Sequence, residues 1–322
     1  DYTEIYFPYN MDFRGRIYSL PSFNPQGDDI TKGLIIFADN VPAITDEKQL
    51  EWLYVTGANL AGVDKVSYDD RIQWVKDNYG AIMASAEDPL GTTFWQGQDE
   101  PFQFLAFCFE MQDLKTFKAT HGTAIGWKCH IPIAFDGTCS GLQHFSAILR
   151  DEIGGKAVNL TPSDKPQDIY GVVAGKVNVM LNRDAQKGTL DSEAAGKYED
   201  TYIKLGTKTL AQAWLSYGVT RKVTKRNVMT LAYGSRQYGF KEQLIEDIIQ
   251  PDIDANGDLS VFATNKAQFA SYLSKLIWDA VSTTVVNAVE GMEWLQTIAK
   301  QITKDASVVM WTTPAGLPIQ QH

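Results

Sequence analysis

The chain has 322 residues, of which 44% are hydrophobic, so it can bury substantial cores, and its length favours about two domains. Its 39 acidic and 29 basic residues give a formal net charge of −10, which argues against nonspecific coating of DNA but allows a locally basic channel. No stretch approaches the ~18 consecutive apolar residues of a membrane span, and three cysteines without framework spacing suit a reducing cytosol. The first residues match neither a signal peptide nor a transit peptide and include no initiating Met, so we expect the natural N-terminus to lie upstream.

Residues 1–37 are predicted to form short extended segments, because three prolines and the polar turn NPQGDD interrupt them. Within the string DFRGRIY, Arg14 and Arg16 are two residues apart, so on a strand both side chains project from the same face. Two like charges on one face need an anionic partner or water. From the residues alone, an anion contact and an exposed edge strand protected by cations are equally good interpretations.

Helical patterns follow over residues 45–60 and 67–86. The second pattern begins at Ser67 with Asp70 three residues later, which resembles a capping box with Asp in place of Glu. The aromatic string FWQGQDEPFQFLAFCFE predicts a buried helix after Pro101. We assign this helix to packing.

Asp136 follows a short apolar run, residues 131–135, that predicts a buried strand. The next helix is predicted over residues 140–151, stopped by Gly154 and Gly155. A carboxylate at the end of a buried strand is costly unless it binds a cation or accepts hydrogen bonds. We interpret Asp136 as a magnesium ligand, because Mg²⁺ takes one or two carboxylates together with substrate phosphates. The alternative is an Asp that caps the next helix.

The elements on either side of residues 220–240 have weaker signals. They are a helix that opens at Ser163 with Pro166 in its early turns, an exposed polar loop over residues 187–201, a long helical scaffold over residues 264–303 with a break at Gly291, and a hairpin with Pro314 and Gly316 in its turn.

Residues 220–240, TRKVTKRNVMTLAYGSRQYGF, are the most distinctive stretch of the chain. On a helix, four side chains at successive i+4 steps form one stripe of two cations, a thioether and a phenol. The stripe is about 18 Å long at 1.5 Å per residue, which is roughly the extended length of a nucleoside triphosphate. Its members are Arg221, Lys225, Met229 and Tyr233.

The charge around this stripe is one-sided. Residues 203–241 contain eight of the Lys and Arg residues and no Asp or Glu, although acids outnumber bases in the chain as a whole. A solvated basic face with a core tyrosine is the ordinary alternative, but the local concentration of positive charge favours a site for a long anionic ligand. Gly234 removes a side chain where a base or backbone needs close approach.

The spacing R-x3-K-x7-Y-G resembles the fingers-helix motif of nucleotide polymerases built like DNA polymerase I. The fuller string VTKRNVMTLAYGS resembles, more narrowly, the single-subunit DNA-dependent RNA polymerases of bacteriophages and mitochondria. The strings NMDFRGRIY and FNPQG-x3-TKG resemble the same phage-type enzymes. The resemblance covers essentially the whole chain, but the chain covers only the middle of the family's pattern.

The resemblance implies an α+β, mostly helical chain with the right-hand fold of the DNA polymerase I type, as a partial palm plus fingers with no thumb. Residues 1–155 would be a palm portion with a helical insertion, carrying the first catalytic carboxylate. Residues 156–322 would be the fingers subdomain, ending at the base of the promoter-specificity hairpin.

The implied activity is DNA-templated RNA synthesis, in which nucleotides are transferred from NTPs to an RNA 3′ end by a two-metal mechanism. The implied catalytic residues are Asp136 and Lys225, and the implied Mg²⁺ ligands are Asp136 and the carbonyl group of Gly137. The remaining roles carried over by position are nucleotide contacts at Arg221, Lys225, Met229, Tyr233, Tyr170 and Lys65, and nucleic-acid contacts at Arg14, Arg16, Lys32 and Gly234.

A two-metal site needs a second carboxylate from another segment, and the HDS-type motif that supplies it in the family does not occur in this sequence. We therefore expect a polymerase fragment that is inactive alone. The alternatives are a noncatalytic nucleic-acid-binding module and a DNA polymerase of the same fold. Small residues after Asp136 disfavour the DNA polymerase, since they leave room for a ribose 2′-hydroxyl.

The expected partners are a DNA template with its promoter, nascent RNA and ribonucleoside triphosphates, with no membrane and a monomeric state. The expected location is the cytoplasm of a phage-infected or prophage-bearing bacterium rather than a mitochondrion.

Overall fold

The computed structural model describes residues 4–12, 15–163, 165–195, 201–305 and 308–321. Helices dominate these residues, and the described strands pair as three antiparallel two-stranded sheets. The prediction of a mostly helical α+β chain is therefore confirmed. Within the described ranges, no helix combines the length and the apolar character needed to cross a membrane.

The chain forms two compact units, unit 1 (Asp1–Asp136 and Ala306–His322) and unit 2 (Gly137–Asp305). The expected division into palm and fingers portions after residue 155 stays a prediction.

Unit 1 is organised by its longest helix, α5, which starts at Pro101 as predicted. Phe104 and Phe107 of α5 are fully buried, and Gly57 admits the Phe107 ring, because a Cβ atom on Gly57 would lie 2.2 Å from its Cζ. The elements of this unit are β1 (Tyr9–Met11), β2 (Ile17–Ser19), α1 (Asp29–Leu34), α2 (Leu50–Leu60), α3 (Tyr68–Asp77), α4 (Tyr79–Glu87), α5 (Pro101–His121), β5 (Val309–Thr312) and β6 (Pro318–Gln321).

Two local predictions in unit 1 are confirmed, the start of α3 at Ser67 and the terminal hairpin, although the Asp70 carboxylate accepts the Ser67 hydroxyl at 2.6 Å and not the backbone N–H of a full capping box. The Ser67 hydroxyl accepts a hydrogen bond from the Asp70 backbone N–H at 3.2 Å and caps α3. The terminal hairpin pairs Val309 with Gln321 and turns at Gly316, whose φ of +84° is the left-handed conformation that glycine tolerates best.

The strand predicted for Arg16 is wrong. β1 ends at Met11 and β2 begins at Ile17, so Arg16 lies in the exposed turn between them. The turn forms because Gly15 has a φ of +81° and the Asp12 carboxylate accepts a hydrogen bond from the Arg16 backbone N–H at 3.1 Å. Arg14 lies outside the described residues.

The buried strand predicted over residues 131–135 is also wrong. An apolar run becomes a strand only where a neighbouring strand accepts its backbone hydrogen bonds. Bridge pairing ends before it, at Ala43 with Lys128, and no strand in the described part of the chain pairs with residues 131–135. Phe135 is 77% exposed, and Asp136 follows it in an exposed, irregular segment.

Unit 2 is a helical body whose core lies between α8, α9, α10, α11 and α13. Trp214 of α9 is fully buried at its centre and donates its indole N–H to the Phe269 carbonyl at 3.1 Å. The elements are α6 (Ser140–Ile148), α7 (Glu152–Ala157), α8 (Ile169–Lys187), β3 (Ser192–Ala195), β4 (Thr201–Lys204), α9 (Thr207–Tyr217), α10 (Arg221–Leu231), α11 (Gln237–Leu244), a π-helical turn (Ile245–Ile249), α12 (Gln250–Asn256), α13 (Lys266–Ser282) and α14 (Val286–Asp305).

Several boundaries in unit 2 differ from the predictions. Gly154 and Gly155 lie inside α7, and α8 begins at Ile169, after Pro166. The scaffold predicted over residues 264–303 breaks between α13 and α14, whereas Gly291 lies within α14, where a Cβ atom would meet Leu149 at 3.0 Å. The predicted polar loop contains β3, which pairs with β4.

Candidate active site

Helix α10 carries the first three members of the predicted stripe. It buries one face against the core and leaves Lys225 and Met229 exposed on the other, with Arg221 half-buried at its start. This division is what apolar or small residues at helical spacing produce. The buried face consists of Val223, Thr224, Asn227, Val228 and Leu231.

Tyr233 lies beyond the helix, so the prediction of one helical stripe through this residue is wrong. The helix ends at Leu231, and the backbone N–H groups of Tyr233 and Ser235 both donate to the Thr230 carbonyl, at 3.0 and 3.1 Å. Gly234 has a φ of +90°, and a Cβ atom there would be 3.7 Å from its nearest neighbours. Gly234 is therefore required by the conformation of the turn, not by crowding within unit 2. The turn leaves Tyr233 61% exposed.

Arg221 is held by the first residues of α8. Its Nε donates to Oδ2 of Asp168 at 2.8 Å, and its guanidinium carbon lies 5.0 Å from the centroid of the Tyr170 ring. Asp168 is the N-cap of α8, since its Oδ1 accepts the Tyr170 backbone N–H at 3.2 Å. The buried Thr224 hydroxyl donates to the Tyr170 carbonyl at 2.9 Å and joins the two helices again.

Tyr170 lies behind Arg221 and is only 5% exposed. Burial raises the pKa of its phenol, as does the neighbouring Cys139. Burial also raises the pKa of the Cys139 thiol. Cys139 is the N-cap residue of α6 and has a φ of +53°, an uncommon conformation for a residue with a side chain. Tyr170 thus connects Arg221 to the start of α6.

The four cations in the first six residues of α10 fall into two classes. The arginines are paired: Arg221 with Asp168, and Arg226 with both Glu246 and Asp247. The lysines, Lys222 and Lys225, make no ion pair within the described parts of the chain. The helix macrodipole places a partial positive charge at the N-terminus of α10, and the first turn contains no acidic residue that would offset it or the cations. The N-terminal part of α10 is therefore an electropositive surface suited to an anion.

The loop that follows Asp136 is held by side chains of unit 2. The Asn159 amide donates to the Thr138 hydroxyl at 3.1 Å, and the Gln143 amide donates to the Val158 carbonyl at 2.8 Å. Since the N-cap residue of α6 is Cys139, the alternative that Asp136 caps this helix is wrong.

Gly141 brings α6 against the end of α10. A Cβ atom at Gly141 would lie 2.5 Å from the Ala232 Cβ, so the two segments are in direct contact at the residue before Tyr233. Gly141 is one of the small residues in the segment after Asp136.

The candidates in unit 1 lie on short surface elements. Lys65 forms an ion pair with its neighbour Asp64, and both side chains are largely exposed. Lys32 is in the last turn of α1. Hydrogen bonds from Thr31 lower the pKa of the Asp28 carboxyl below its usual range, and the charge of Lys32 lowers it further. Arg16 is in the β1–β2 turn. Their assignments as phosphate or nucleic-acid contacts stay predictions.

A metal ion could be held at Asp136 only with help from other groups. In the described residues no three His, Cys, Asp or Glu side chains are grouped so that they could hold a metal ion. The exposed carboxylate of Asp136 and the adjacent carbonyl of Gly137 are nevertheless oxygen donors of the type that Mg²⁺ accepts with water and phosphate. The donor set fits a partial magnesium site.

Asp168, Thr224 and Cys139 were missed as site residues. A capping signal was present for Asp168, which directly precedes the apolar pattern of α8. Its pairing with Arg221 joins residues 53 positions apart, and neither local pattern indicates it.

The family model for DNA-dependent RNA polymerase matches residues 43–322, so the chain belongs to that family.

Individual relatives narrow the class to the phage-type enzymes. The chain is 51% identical to the DNA-directed RNA polymerase of Enterobacteria phage T3, over 99% of its own length and 37% of that protein. It is 49% identical to the T7 RNA polymerase of Escherichia phage T7, over 100% of its length and 37% of that protein. It is 35% identical to the mitochondrial DNA-directed RNA polymerase of Schizosaccharomyces pombe, over 99% of its length and 26% of that protein. The chain thus spans little more than a third of the phage relatives.

Proposed function

We propose that this chain forms the nucleotide-binding part, and the first carboxylate, of an enzyme that synthesises RNA on a DNA template. The observation that carries the proposal is the exposed electropositive start of α10, with Arg221 and Lys225 one turn apart and Tyr233 in the following turn. This arrangement suits a nucleoside triphosphate, with phosphates beside the cations and the sugar and base beside the phenol. The relatives named above act as DNA-directed RNA polymerases, which supports the same interpretation.

The reaction is phosphoryl transfer, in which the RNA 3′-oxygen forms a bond to the α-phosphorus and the bond to the pyrophosphate oxygen breaks. Arg221 and Lys225 neutralise the triphosphate and the charge that develops on the leaving group. The Lys225 ammonium donates a proton to the departing pyrophosphate, a general-acid contribution of about 10²- to 10⁴-fold. The resemblance makes Lys65 a further pyrophosphate contact. Its ion pair with Asp64 does not prevent this, because an exposed pair is worth only about 0–1 kcal/mol and exchanges readily.

Asp136 and the Gly137 carbonyl would hold Mg²⁺ together with substrate phosphates. When bound, the ion supplies activation of the 3′-hydroxyl and neutralisation of phosphate charge. A second carboxylate from another segment is required for a two-metal site, so we propose that these 322 residues alone are inactive.

The remaining assignments concern sugar, template and surroundings. Tyr233 and Met229 contact the sugar and base, Tyr170 contributes next to the ribose, and Gly234 lets the template base pass. The small residues that follow Asp136 leave room for the ribose 2′-hydroxyl, whereas the space beside Gly141 is filled by Ala232. Arg14, Arg16 and Lys32 contact template or hybrid. We place these residues in a right-hand polymerase fold with palm and fingers portions, acting as a monomer in the cytoplasm of a phage-bearing bacterium.

The test is Asp136→Asn in the full-length polymerase that contains this sequence. We expect RNA synthesis to be lost while template binding, measured by fluorescence anisotropy, is retained. Loss of template binding together with synthesis would show that Asp136 acts in nucleic-acid binding and not at a metal ion, and unchanged synthesis would reject Asp136 as the metal ligand.

Two further assays test the choice of nucleotide and the need for a second carboxylate. The relative use of ribo- and deoxyribonucleotides separates an RNA polymerase from a DNA polymerase of the same fold. Primer extension by these residues alone, with Mg²⁺ and ribonucleotides, should give no product, and robust synthesis would contradict the need for a second carboxylate.

A further inference from the structure

Asp168 contacts Arg221 in a way that leaves part of the guanidinium group available. An arginine offers five N–H donors in a planar fork, and the two Nη nitrogens together match a phosphate bidentately. The bond to Asp168 uses Nε. Within the described residues, no acceptor is hydrogen-bonded to Nη1 or Nη2 of Arg221. The side chain of Arg221 is 35% exposed, so a ligand can reach it.

Asp168 is held in place by its role as the N-cap of α8, independently of Arg221. Its Oδ1 is bound by the Tyr170 backbone N–H at the first turn of α8, which leaves Oδ2 for the guanidinium. The ring of Tyr170 lies 5.0 Å from the guanidinium carbon and adds a cation–π contact. Two neighbours in the α8 sequence therefore restrain one side chain of α10.

We propose that Asp168 is a positioning residue for nucleotide binding, which holds Arg221 through Nε so that Nη1 and Nη2 are presented to a phosphate of the incoming triphosphate. The inference rests on the proposed function, since it takes Arg221 as a triphosphate contact. A long arginine side chain loses rotamer freedom when it binds a ligand, and restraint by Asp168 and Tyr170 lowers that cost in advance. Asp168 does not compete with the nucleotide, because the two use different N–H groups.

The experiment uses Asp168→Asn in the full-length polymerase. Asn caps a helix as well as Asp does, so the bond from Tyr170 is kept while the charge facing Arg221 is removed. Losing a charged hydrogen bond that orients a ligand contact should raise the KM for ribonucleotides about tenfold. We expect kcat to change less than KM, because Asp168 does not touch the reacting atoms.

The matched control is Asp151→Asn. Asp151 caps α7 in the same way, accepting the Gly154 backbone N–H at 3.0 Å, and it has no ion pair among the described residues. This variant should leave the KM for ribonucleotides unchanged. If Asp168→Asn does not fold, Asp168→Ser replaces it, since serine also caps a helix without a charge. Thermal unfolding of each variant reports whether the fold is kept.

A double-mutant cycle with Arg221→Ala decides how Asp168 acts. If Asp168 works through Arg221, Asp168→Asn should have no further effect on KM in the Arg221→Ala background. A KM that is unchanged or lower in Asp168→Asn, or an effect that adds fully to that of Arg221→Ala, would overturn the positioning role while leaving the triphosphate site intact. A normal KM in Arg221→Ala itself would overturn the triphosphate assignment, and the positioning role with it.

Discussion

Two faces of α10 carry arginines in different surroundings. On the face towards α8, Arg221 meets one carboxylate, Asp168, that already caps a helix. On the other face, Arg226 meets two carboxylates of the π-helical turn, Glu246 and Asp247, neither of which is an N-cap. Arg221 keeps both Nη groups without an acceptor among the described residues, and its charge is balanced by one carboxylate. Arg226 faces two carboxylates, so the charges of its cluster sum to a negative value. A basic stretch of sequence therefore need not form a uniformly basic surface.

The largest expected effect comes from Lys225, the exposed lysine that follows Arg221 by one turn. Lys225→Gln removes the proposed general acid, so the rate of nucleotide addition by the full-length polymerase should fall by about 10²- to 10⁴-fold in single-turnover assays. Lys222→Gln is the matched control, because Lys222 is an exposed lysine of the same helix without an ion pair in the described residues. Equal losses in both variants would show that α10 acts only through its overall charge.

The next effect concerns the contact at the end of α10. Gly141→Ala places a methyl group 2.5 Å from the Ala232 Cβ, so we expect overpacking to cost about 1–3 kcal/mol in the free energy of unfolding. Gly175→Ala is the control, since nothing lies within 4 Å of a Cβ atom at that position of α8. The control should stabilise the chain by up to about 1 kcal/mol, because alanine is the better helix former.

Urea denaturation measures both glycine variants. A midpoint for Gly141→Ala at or above that of the wild type would mean that α6 can move away from α10 without cost. The contact would then have no part in placing Tyr233.

A smaller effect is expected on the face of α10 that carries Arg226. Arg226→Ala breaks exposed ion pairs, which contribute about 0–1 kcal/mol each to stability. The KM for ribonucleotides should stay at the wild-type value, whereas Arg221→Ala should raise it. If Arg226→Ala raised KM as much as Arg221→Ala, the two faces of α10 would be equivalent.

The smallest effect concerns a carboxylate without an arginine or lysine partner, in contrast to Asp168. Burial raises the pKa of the Glu110 carboxyl, while the backbone N–H of His130, which donates to it at 2.7 Å, and the His130 charge partly offset this. Asp113 also raises the pKa. The folded chain therefore holds a proton that the unfolded chain releases above its ordinary pKa of about 4.3. Stability from this group falls as pH rises from that value through the raised pKa.

Glu110→Gln tests this pH dependence, because the amide oxygen still accepts the His130 N–H but does not titrate. Urea midpoints between about pH 4 and about pH 8 should fall less steeply with pH in the variant than in the wild type. Parallel curves would show that Glu110 does not contribute to the slope.

The sequence predicted the elements whose signals are local. Helix α10 follows from its buried apolar face, α5 starts at Pro101, and the last hairpin turns at Gly316. The predictions that were wrong concern elements that depend on tertiary contacts. A strand over residues 131–135 requires a neighbouring strand, and no described strand pairs with it. Gly154, which would end an isolated helix, is instead buried inside α7, where a Cβ atom would meet the Asp151 carboxylate at 2.6 Å.

The candidate site, too, was predictable where its residues belong to one element and not where they depend on contacts between elements. The spacing of Arg221 and Lys225 along one helix was sufficient to suggest an anion site, because both belong to one element. The contacts that fix Arg221 come from α8, and the contact that fixes the turn before Tyr233 comes from α6. Such long-range contacts depend on packing, which no periodicity encodes.

The contact between Gly141 and Ala232 has a consequence for how this sequence can change over evolutionary time. The two positions share the space of a single methyl group, so they behave as one site although they are 91 positions apart along the chain. A mutation that adds a methyl group at position 141 is tolerated when position 232 loses one. In diverging descendants of this chain, the residue before Tyr233 and the second residue of α6 should therefore exchange their sizes rather than drift independently.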